Sequence, residues 1–445
     1  MDKILPQTYK NLFGRFERFF STIWQRKVGP MSRLLLLALL PTLAATGYSA
    51  DWPQWRGPSR DGKITSSVPW PTSLDQDHLQ RTWRTELGPS YSGPIVVGSR
   101  VFVTETRDKS HETVLAFDRL TGKKLWEAQW RGAMKVPFFA AANGSWIRST
   151  PACDGKRIYI LGMRDVLVCL DAASGKELWR IDFVKKYRSA LPSFGAVCSP
   201  ILDGTHLYLQ AGSSVLKIEK ATGNVVWRSG GSKQKRSLFG NGMTSSAFSS
   251  PVIETIDGQR QLVVQGRNAL GGLDLKSGKS LWSVKIPAFR GMNIQTPLLI
   301  DGKLFTSSYG GGSFLFDVSR TGSQFDVTQR WKTTTQGYMS SPVKIDGYVY
   351  LHLRNQRFTC IDPKTGKTRW TTRPFGKYWS MASNGKQILA LDQRGDLLLI
   401  DANPNAFKKV SARHLGDSPT WAHIAVAGNQ VFVRDLAGIS TYSWK

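Results

Sequence analysis

The chain has 445 residues, including 42 glycines and 16 tryptophans, and a formal net charge of +28 at pH 7. It is too long for one ordinary hydrophobic core unless it is built from repeats that pack only on their neighbours. The charge predicts attraction to anionic surfaces, but basic residues are spread along the whole chain without a nucleic-acid-binding motif, which argues against specific recognition of nucleic acid.

Residues 1–50 are expected to be a basic N-terminal extension followed by a signal peptide. Apolar residues within positions 1–30 are spaced to form one face of an amphipathic helix, a pattern of segments that contact membrane surfaces. A secretory signal starts at Met31, with the apolar run Leu34–Leu40 and small residues near Ala50, so the native protein can begin at Met31. We expect export to the periplasm or beyond the cell; an uncleaved, membrane-anchoring signal segment is the alternative.

Residues 51–78 form a leader rich in tryptophan and proline. It opens with Asp51–Gly62 (D-W-P-Q-W-R-G-P-S-R-D-G), where proline and glycine exclude a regular helix. Trp52 and Trp55 are expected to pin this leader onto the body of the protein.

Residues 79–445 are organised by a repeated motif of the type A-x-D-x-x-T-G-x-x-x-W. Its copies are Ala116–Trp126, Cys169–Trp179, Lys217–Trp227, Gly272–Trp282 and Cys360–Trp370. Self-similarity at a period of about fifty residues predicts a repeat architecture. The acidic residue can accept backbone N–H bonds in a turn, and the glycine supplies the positive φ that returns the chain into the next strand. The motif therefore predicts a β-hairpin.

The tryptophan at the end of the motif falls on the returning strand, where its ring can fill the gap between neighbouring sheets. We interpret these residues as structural wedges and not as catalytic groups. The predicted wedges are Trp83, Trp126, Trp179, Trp227, Trp282, Trp331 and Trp370.

A second signal, a Ser/Thr/Gly-Pro step followed by two apolar strands, precedes each hairpin. The steps lie at Pro94, Pro151, Pro200, Pro251, Pro297 and Pro342, and weaker copies are Asn384–Asp401 and Ala422–Trp444. Four strands in a unit and eight units predict an all-β protein, an eight-bladed β-propeller of four-stranded antiparallel blades. The last copy lacks a fourth strand, and Gln80–Glu86 reads as an unpaired strand that would close the ring.

The motif resembles the tryptophan-docking repeat of the quinoprotein (PQQ) alcohol dehydrogenase-like propellers, over roughly residues 80–445. The leader resembles that of exported PQQ-like repeat proteins. The resemblance implies either a calcium- and quinone-dependent dehydrogenase or a non-catalytic protein such as the lipoprotein scaffold of outer-membrane β-barrel assembly. Fold alone does not choose between them.

The departures from the resemblance favour the non-catalytic, exported branch. The family's dehydrogenases carry two adjacent cysteines, whereas this chain has separate Cys153, Cys169, Cys198 and Cys360. An exported protein could form a disulfide between Cys153 and Cys198, but the sequence does not show the pairing. No calcium cage, metal-ligand spacing or lipobox cysteine near Ala50 is recognisable, so no metal site is predicted and no cofactor is assigned; PQQ with calcium stays an alternative.

One pattern goes beyond the repeat and predicts a binding face. Six turns between second and third strands carry an arginine: Arg107, Arg164, Arg267, Arg354, Arg394 and Arg434. These arginines are expected to ring one mouth of the central channel, where guanidinium groups could bind an anion. The loops that lead into the inner strands should crowd the same face; they carry Trp146, Arg148, Phe194, Asn241, Phe248, Asn293, Gln295, Tyr338, Tyr378, Trp379, Trp421 and His423.

The leading hypothesis is an exported binding or assembly scaffold that holds an envelope protein or an anionic small molecule on this face, with Arg131–Ser145 as the lid or partner-contact loop. The first alternative is a PQQ-dependent dehydrogenase, for which Asp165 and Asp435 are the candidate bases. The second is a carbohydrate- or cell-surface-binding module. Membrane contact through the N-terminal segment is a further expectation.

Overall fold

The computed structural model describes residues 50–64, 66–230 and 247–444. The expected signal peptide and amphipathic segment therefore lie outside the described residues, as does Asn241. Among the described residues, no helix is both long enough and apolar enough to cross a bilayer.

The described residues form eight four-stranded antiparallel sheets, which confirms the predicted propeller. Blades 1 to 4 are β2–β5 (Ile95–Val97, Arg100–Arg107, His111–Asp118, Lys124–Arg131), β6–β9 (Ala152–Cys153, Arg157–Gly162, Val166–Asp171, Glu177–Asp182), β10–β13 (Ile201–Asp203, His206–Ala211, Ser214–Glu219, Val225–Ser229) and β14–β17 (Val252–Ile256, Gln259–Gln265, Ala269–Asp274, Ser280–Lys285). Blades 5 to 7 are β18–β21 (Leu298–Ile300, Lys303–Ser308, Gly312–Thr321, Gln324–Thr333), β22–β25 (Val343–Ile345, Tyr348–His352, Phe358–Ile361, Thr368–Thr371) and β26–β29 (Trp379–Ser383, Gln387–Asp392, Asp396–Asp401, Lys408–His414). In the described loops, three helical turns lie at Phe138–Asn143, Phe183–Tyr187 and Phe289–Gly291.

Blade 8 joins the two ends of the repeat region. It consists of β30–β32 (Ala425–Ala427, Gln430–Asp435, Gly438–Trp444) and β1 (Leu79–Glu86), in the order β30-β31-β32-β1. β1 pairs antiparallel with β32, from Leu79 opposite Trp444 to Glu86 opposite Gly438. The predicted closure through the N-terminal strand is therefore confirmed, because β1 completes blade 8 and covers the edge of β32.

The motif folds as the hairpin that its residue types predict. Oδ1 of Asp118 accepts hydrogen bonds from the backbone N–H of Thr121 at 2.8 Å and from that residue's hydroxyl at 2.8 Å. Gly122 follows at a φ of +69°, a conformation that L side chains avoid. The carboxylate and the glycine together reverse the chain into β5.

The wedge tryptophans reach across the gap to the turn of the next blade. Nε1 of Trp126 donates to the carbonyl oxygen of Ala172 at 3.2 Å, and that of Trp179 to the carbonyl oxygen of Lys220 at 3.1 Å. The same bond is made by Trp83, Trp227, Trp331 and Trp370, to Arg119, Leu275, Pro363 and Asn403. Each of these tryptophans thus joins two blades through packing and one hydrogen bond.

Two positions depart from this rule. The next blade after Trp282 turns at Gly322, which has no side chain of a neighbouring blade within 4 Å of its Cβ position. Nε1 of Trp282 donates instead to Oε1 of Gln261 in its own blade, at 2.6 Å. In blade 7, Ser411 stands opposite Leu399 where the other blades place tryptophan. The leader fills that gap, because Leu74 is fully buried and its backbone N–H donates to the Ser411 hydroxyl at 3.0 Å.

The start of the leader crosses several inner strands. Trp52 forms a two-way backbone bridge with Val96 of β2 and is buried, as expected. The leader then accepts a bond from the N–H of Cys153 in blade 2, and Ile64 donates to Ser383 in blade 7 at 2.7 Å. This segment therefore ties distant blades together along the axis of the ring.

All four cysteines are buried as free thiols, so the disulfide between Cys153 and Cys198 is not formed. Cys169 and Cys360 pair directly with Trp179 and Trp370, at the position that Ala116 takes in blade 1. A small side chain at this position leaves room for the wedge.

Candidate functional site

A cavity of about 560 Å³ opens at one end of the central channel. Its wall is made by the loops that connect the outer strand of one blade to the inner strand of the next, and each of the eight loops contributes one aromatic ring. We call this set the aromatic girdle: Tyr91, Phe139, Phe194, Phe248, Phe289, Tyr338, Tyr378 and Trp421. The volume is within the range of pockets that bind small molecules or side chains.

The rings of the girdle hold one another in place. Tyr91 stacks on Trp421 with centroids 4.7 Å apart, and Trp421 meets Tyr378 edge-on at 4.6 Å. On the other side, Phe194 contacts Phe139 at 6.0 Å and Phe248 at 5.9 Å. Such contacts stabilise ring positions beyond simple burial, so the wall is preorganised.

Three arginines complete the wall. The guanidinium of Arg148 lies 5.2 Å from the Tyr91 ring centroid, and that of Arg267 lies 4.1 Å from the Phe248 centroid. Arg290 also lines the cavity, and its backbone oxygen accepts a bond from Arg267 at 2.7 Å. Burial lowers the pKa of Arg148 and of Arg267. No aspartate or glutamate lies among the described residues that line the cavity, so it is an apolar site with positive charge.

The leader supplies the floor. Trp55 lines the cavity, and the guanidinium carbons of Arg56 and Arg60 lie 5.7 and 5.5 Å from its ring centroid. Both arginines are buried and donate to backbone oxygens, Arg60 to Pro200 at 2.7 Å and to Ser199 at 3.0 Å. Burial lowers the pKa of each to about 10, so both stay charged at neutral pH. The floor adds positive potential to that of the wall.

The Ser/Thr-Pro steps noted in the sequence fix the loops around the axis. The N–H of Gly93 donates to the Thr150 hydroxyl, the N–H of Thr150 to the Ser199 hydroxyl, and the N–H of Ser199 to the Ser250 hydroxyl, all at 2.9 to 3.0 Å. Each hydroxyl therefore satisfies a backbone donor of the preceding blade, which a buried amide requires. These bonds set the positions of the loops that carry the girdle.

The loop residues predicted from the sequence are partly brought together. The cavity lining includes Arg148, Phe194, Phe248, Tyr338, Tyr378, Trp379, Trp421 and His423. Trp379 is the first residue of β26 and is buried, with Nε1 donating to Asp392 at 3.1 Å. Trp146 is not among the lining residues; its side chain hydrogen-bonds Tyr91 behind the wall.

The six turn arginines of the predicted ring have different surroundings. Of the six turn arginines, Arg267 lines the cavity, whereas Arg434 is buried and donates to the backbone oxygens of Gly88, Asp435 and Gly438. The other four are not among the residues that line the cavity.

The remaining four turn arginines have separate surroundings. Arg107 pairs with Glu105 and Glu127, and Arg394 pairs with Asp392 at 3.1 Å. Arg164 is exposed, and Arg354 is exposed over the Tyr309 ring at 4.3 Å. Ligand binding by these side chains stays a prediction.

Neither candidate base reaches the cavity. Asp165 is buried, accepts the N–H of Gly212 at 2.6 Å, and has its pKa raised to about 6 by burial. Asp435 pairs with Arg84 at 2.6 Å. Neither is among the lining residues, and a role as a base stays a prediction for both.

Sequence reasoning missed Tyr91 and Phe289 of the girdle, Arg290, and the role of Trp55 as the floor. Tyr91 precedes Pro94 by three residues, as Phe248 precedes Pro251, so that spacing could have revealed it. Phe289 and Arg290 stand at no such offset from Pro297.

The rim of the cavity carries exposed apolar side chains. Phe138 is 90% exposed and lies 5.7 Å from Phe139, which is 65% exposed; Phe289 and Met339 are exposed at 47% and 38%. Phe138 and Phe139 belong to the loop predicted to contact a partner. Exposed apolar groups around a cavity are typical of interaction sites.

A calcium-bound quinone does not fit this site. Calcium takes six to eight oxygen ligands, mostly carboxylates and carbonyls. The described lining has no carboxylate, and the described part of the chain contains no group of three or more His, Cys, Asp or Glu side chains that could hold a metal ion.

Comparison with known proteins identifies relatives that match most of the chain. A family profile described as "Outer membrane protein assembly factor BamB" matches residues 110–372. The BamB protein of Moranella endobia (strain PCIT) is 20% identical over 361 residues, which cover 76% of this chain and 81% of that protein.

Solved structures share the fold. The crystal structure of BamB from Moraxella catarrhalis covers 82% of this chain and 98% of that chain, with a TM-score of 0.58 and 14% identity. A europium-containing methanol dehydrogenase covers 87% of this chain and 90% of its own, with a TM-score of 0.64 and 13% identity. At these identities the likeness shows the fold alone.

Proposed function

The chain belongs to the PQQ-like propeller family described as outer membrane protein assembly factor BamB, and on that premise we propose that it is a non-catalytic scaffold that binds a protein of the cell envelope. The binding surface is the cavity with its exposed rim, which we call the funnel face. Export is part of this proposal and agrees with the signal peptide predicted from Met31 and with the names of the BamB relatives.

The observation that carries the proposal is the chemistry of the cavity lining. The eight rings of the girdle, two further tryptophans and three arginines converge on it, and the described lining includes no carboxylate that could act as a base or hold calcium. Aromatic and arginine side chains are the residue types that contribute most at protein interfaces. The site therefore supports recognition better than catalysis.

Site-specific photocrosslinking tests the scaffold directly. The full chain is produced in its own host with p-benzoylphenylalanine in place of Phe138 on the rim, or in place of Val226, which is 52% exposed on the outer strand β13. We expect a discrete adduct with one envelope protein from the Phe138 position and none from Val226. Equal adducts at both positions, or none at either, would contradict the funnel face as the binding surface.

The dehydrogenase alternative is tested by calorimetric titration of PQQ, with and without calcium. The arginines could bind the carboxylates of this planar anion, so weak, calcium-independent binding is compatible with the scaffold. Tight, calcium-dependent binding together with dye-linked oxidation of alcohols would overturn the non-catalytic proposal.

A further inference from the structure

We infer that the funnel face receives an aromatic side chain flanked by acidic residues, presented by an extended segment of the partner protein. This inference rests on the proposed function and adds the chemistry of the segment that is bound.

The cavity is suited to an aromatic anchor. Its wall offers both stacked and edge-on neighbours, and Trp55 closes the bottom. Nε1 of Trp421 is buried and has no hydrogen-bond acceptor among the described residues, so it is available to a carbonyl oxygen of an entering segment. A buried aromatic ring surrounded by such contacts is the usual centre of a binding hot spot.

The positive charges of the site favour acidic residues on either side of the aromatic anchor. Arg148 and Arg267 donate to the backbone oxygens of Gly144 and Arg290, which are neutral acceptors, and these bonds leave other N–H groups of each guanidinium for a ligand. Arg56 and Arg60 add positive charge beneath Trp55. Carboxylates next to the anchor would pair with the wall arginines in charge-assisted bonds.

The exposed apolar side chains of the rim indicate that the ligand is a polypeptide and not a small molecule. Phe138 is 90% exposed beyond the cavity that Phe139 lines, so a ligand contained within about 560 Å³ would leave it in water. An extended segment that crosses the rim would cover Phe138, Phe289 and Met339 while its anchor fills the cavity. The net charge of +28 would also speed the association with an acidic segment.

Three peptides test the inference by calorimetry on the full chain at low salt. The probe is acetyl-Gly-Asp-Phe-Glu-Gly-amide, and its controls replace the phenylalanine by alanine or both acidic residues by lysine. We expect the probe to bind about tenfold or more tightly than either control, since each removes one hot spot or charge-assisted interaction.

Matched protein variants locate the binding. Arg267→Ala should weaken the probe about tenfold. Arg180→Ala, which removes the same charge from the outer strand β9 and its pair with Glu177, should not. Melting temperatures of both variants show whether they remain folded, and Tyr378→Leu gives a second site variant if Arg267→Ala unfolds.

Equal affinity for the three peptides, or binding unchanged by Arg267→Ala and Tyr378→Leu, would overturn the inference. These outcomes are separate from failure of the scaffold. A partner crosslinked at Phe138 that the acidic probe does not displace would leave the scaffold in place and refute the proposed segment chemistry.

Discussion

The indole of Trp126 and the backbone of Gly175 lie in direct contact across the gap between blades 1 and 2. A Cβ placed on Gly175, whose φ is +75°, would lie 2.5 Å from the ring. The same indole donates to the Ala172 carbonyl oxygen at 3.2 Å. The glycine of the motif therefore serves two purposes, since it turns its own hairpin and accepts the flat face of the preceding tryptophan.

Trp126→Ala should lower the free energy of unfolding by about 3–5 kcal/mol, because it leaves a cavity between two blades. Leu125→Ala, at a neighbouring residue that is 45% exposed, should change it by less than about 0.5 kcal/mol. Chemical denaturation measures both. A wild-type midpoint for Trp126→Ala would refute the wedge.

Gly175→Ala should destabilise more than Gly155→Ala. Both glycines have positive φ, at +75° and +88°, but a Cβ on Gly155 meets nothing within 4 Å. Gly155→Ala thus carries the backbone cost of about 1 kcal/mol, and Gly175→Ala adds overpacking of roughly 1–3 kcal/mol. Equal destabilisation of the two variants would show that the tryptophan contact is unimportant.

Deletion of Gln80–Glu86 should abolish the single cooperative melting transition. It removes the strand that covers the edge of β32, the Trp83 wedge and the ion pair of Arg84 with Asp435. A synthetic Leu79–Glu86 peptide added to the shortened protein should restore part of the lost stability. Calorimetry would contradict ring closure if the deletion left the transition unshifted.

His352 should make the protein sensitive to acid. It is buried and stacks on Trp379, and burial lowers its pKa from 6.5 to about 4. Between these values the unfolded chain binds a proton that the folded chain does not, so stability is lost as the pH falls through this window, by at most about 1.4 kcal/mol per pH unit.

His352→Phe keeps the stacked ring and should reduce the slope of stability with pH between 6.5 and 4. The slope that remains includes the contribution of His423, whose pKa is lowered by burial to about 3. Phe358→Leu, which also contacts Trp379, should lower stability without changing its slope with pH. Denaturant titrations across the window measure both variants. If the free energy of unfolding of His352→Phe has the same slope with pH as that of the wild type, groups other than His352 cause the acid sensitivity.

Arg60→Ala should lower the free energy of unfolding by about 1–3 kcal/mol, because it leaves the buried carbonyl oxygens of Pro200 and Ser199 without their donor. Ser59→Ala, at the exposed preceding residue, is the control. Equal free energies of unfolding for the two variants would show that the hydrogen bonds of Arg60 do not stabilise the propeller.

The sequence by itself determined the repeating architecture, because its signals act over short distances. The acidic residue and glycine of Asp118–Gly122 specify a turn, apolar runs on both sides specify strands, and the tryptophan at a fixed offset specifies where the next blade packs. Even the closing strand could be predicted, since the last unit has three strands and a spare strand, Gln80–Glu86, precedes the first unit.

Tertiary structure decided which of the predicted residues meet at the site. Arg267 and Arg434 occupy equivalent turns, yet one lines the cavity and the other is buried among backbone oxygens, because different neighbouring loops cover them. The girdle likewise joins rings from eight separate loops, and the leader that forms its floor carries no sequence signal of its destination. Contacts between residues far apart in the chain depend on the closure of the whole ring, which local spacing does not encode.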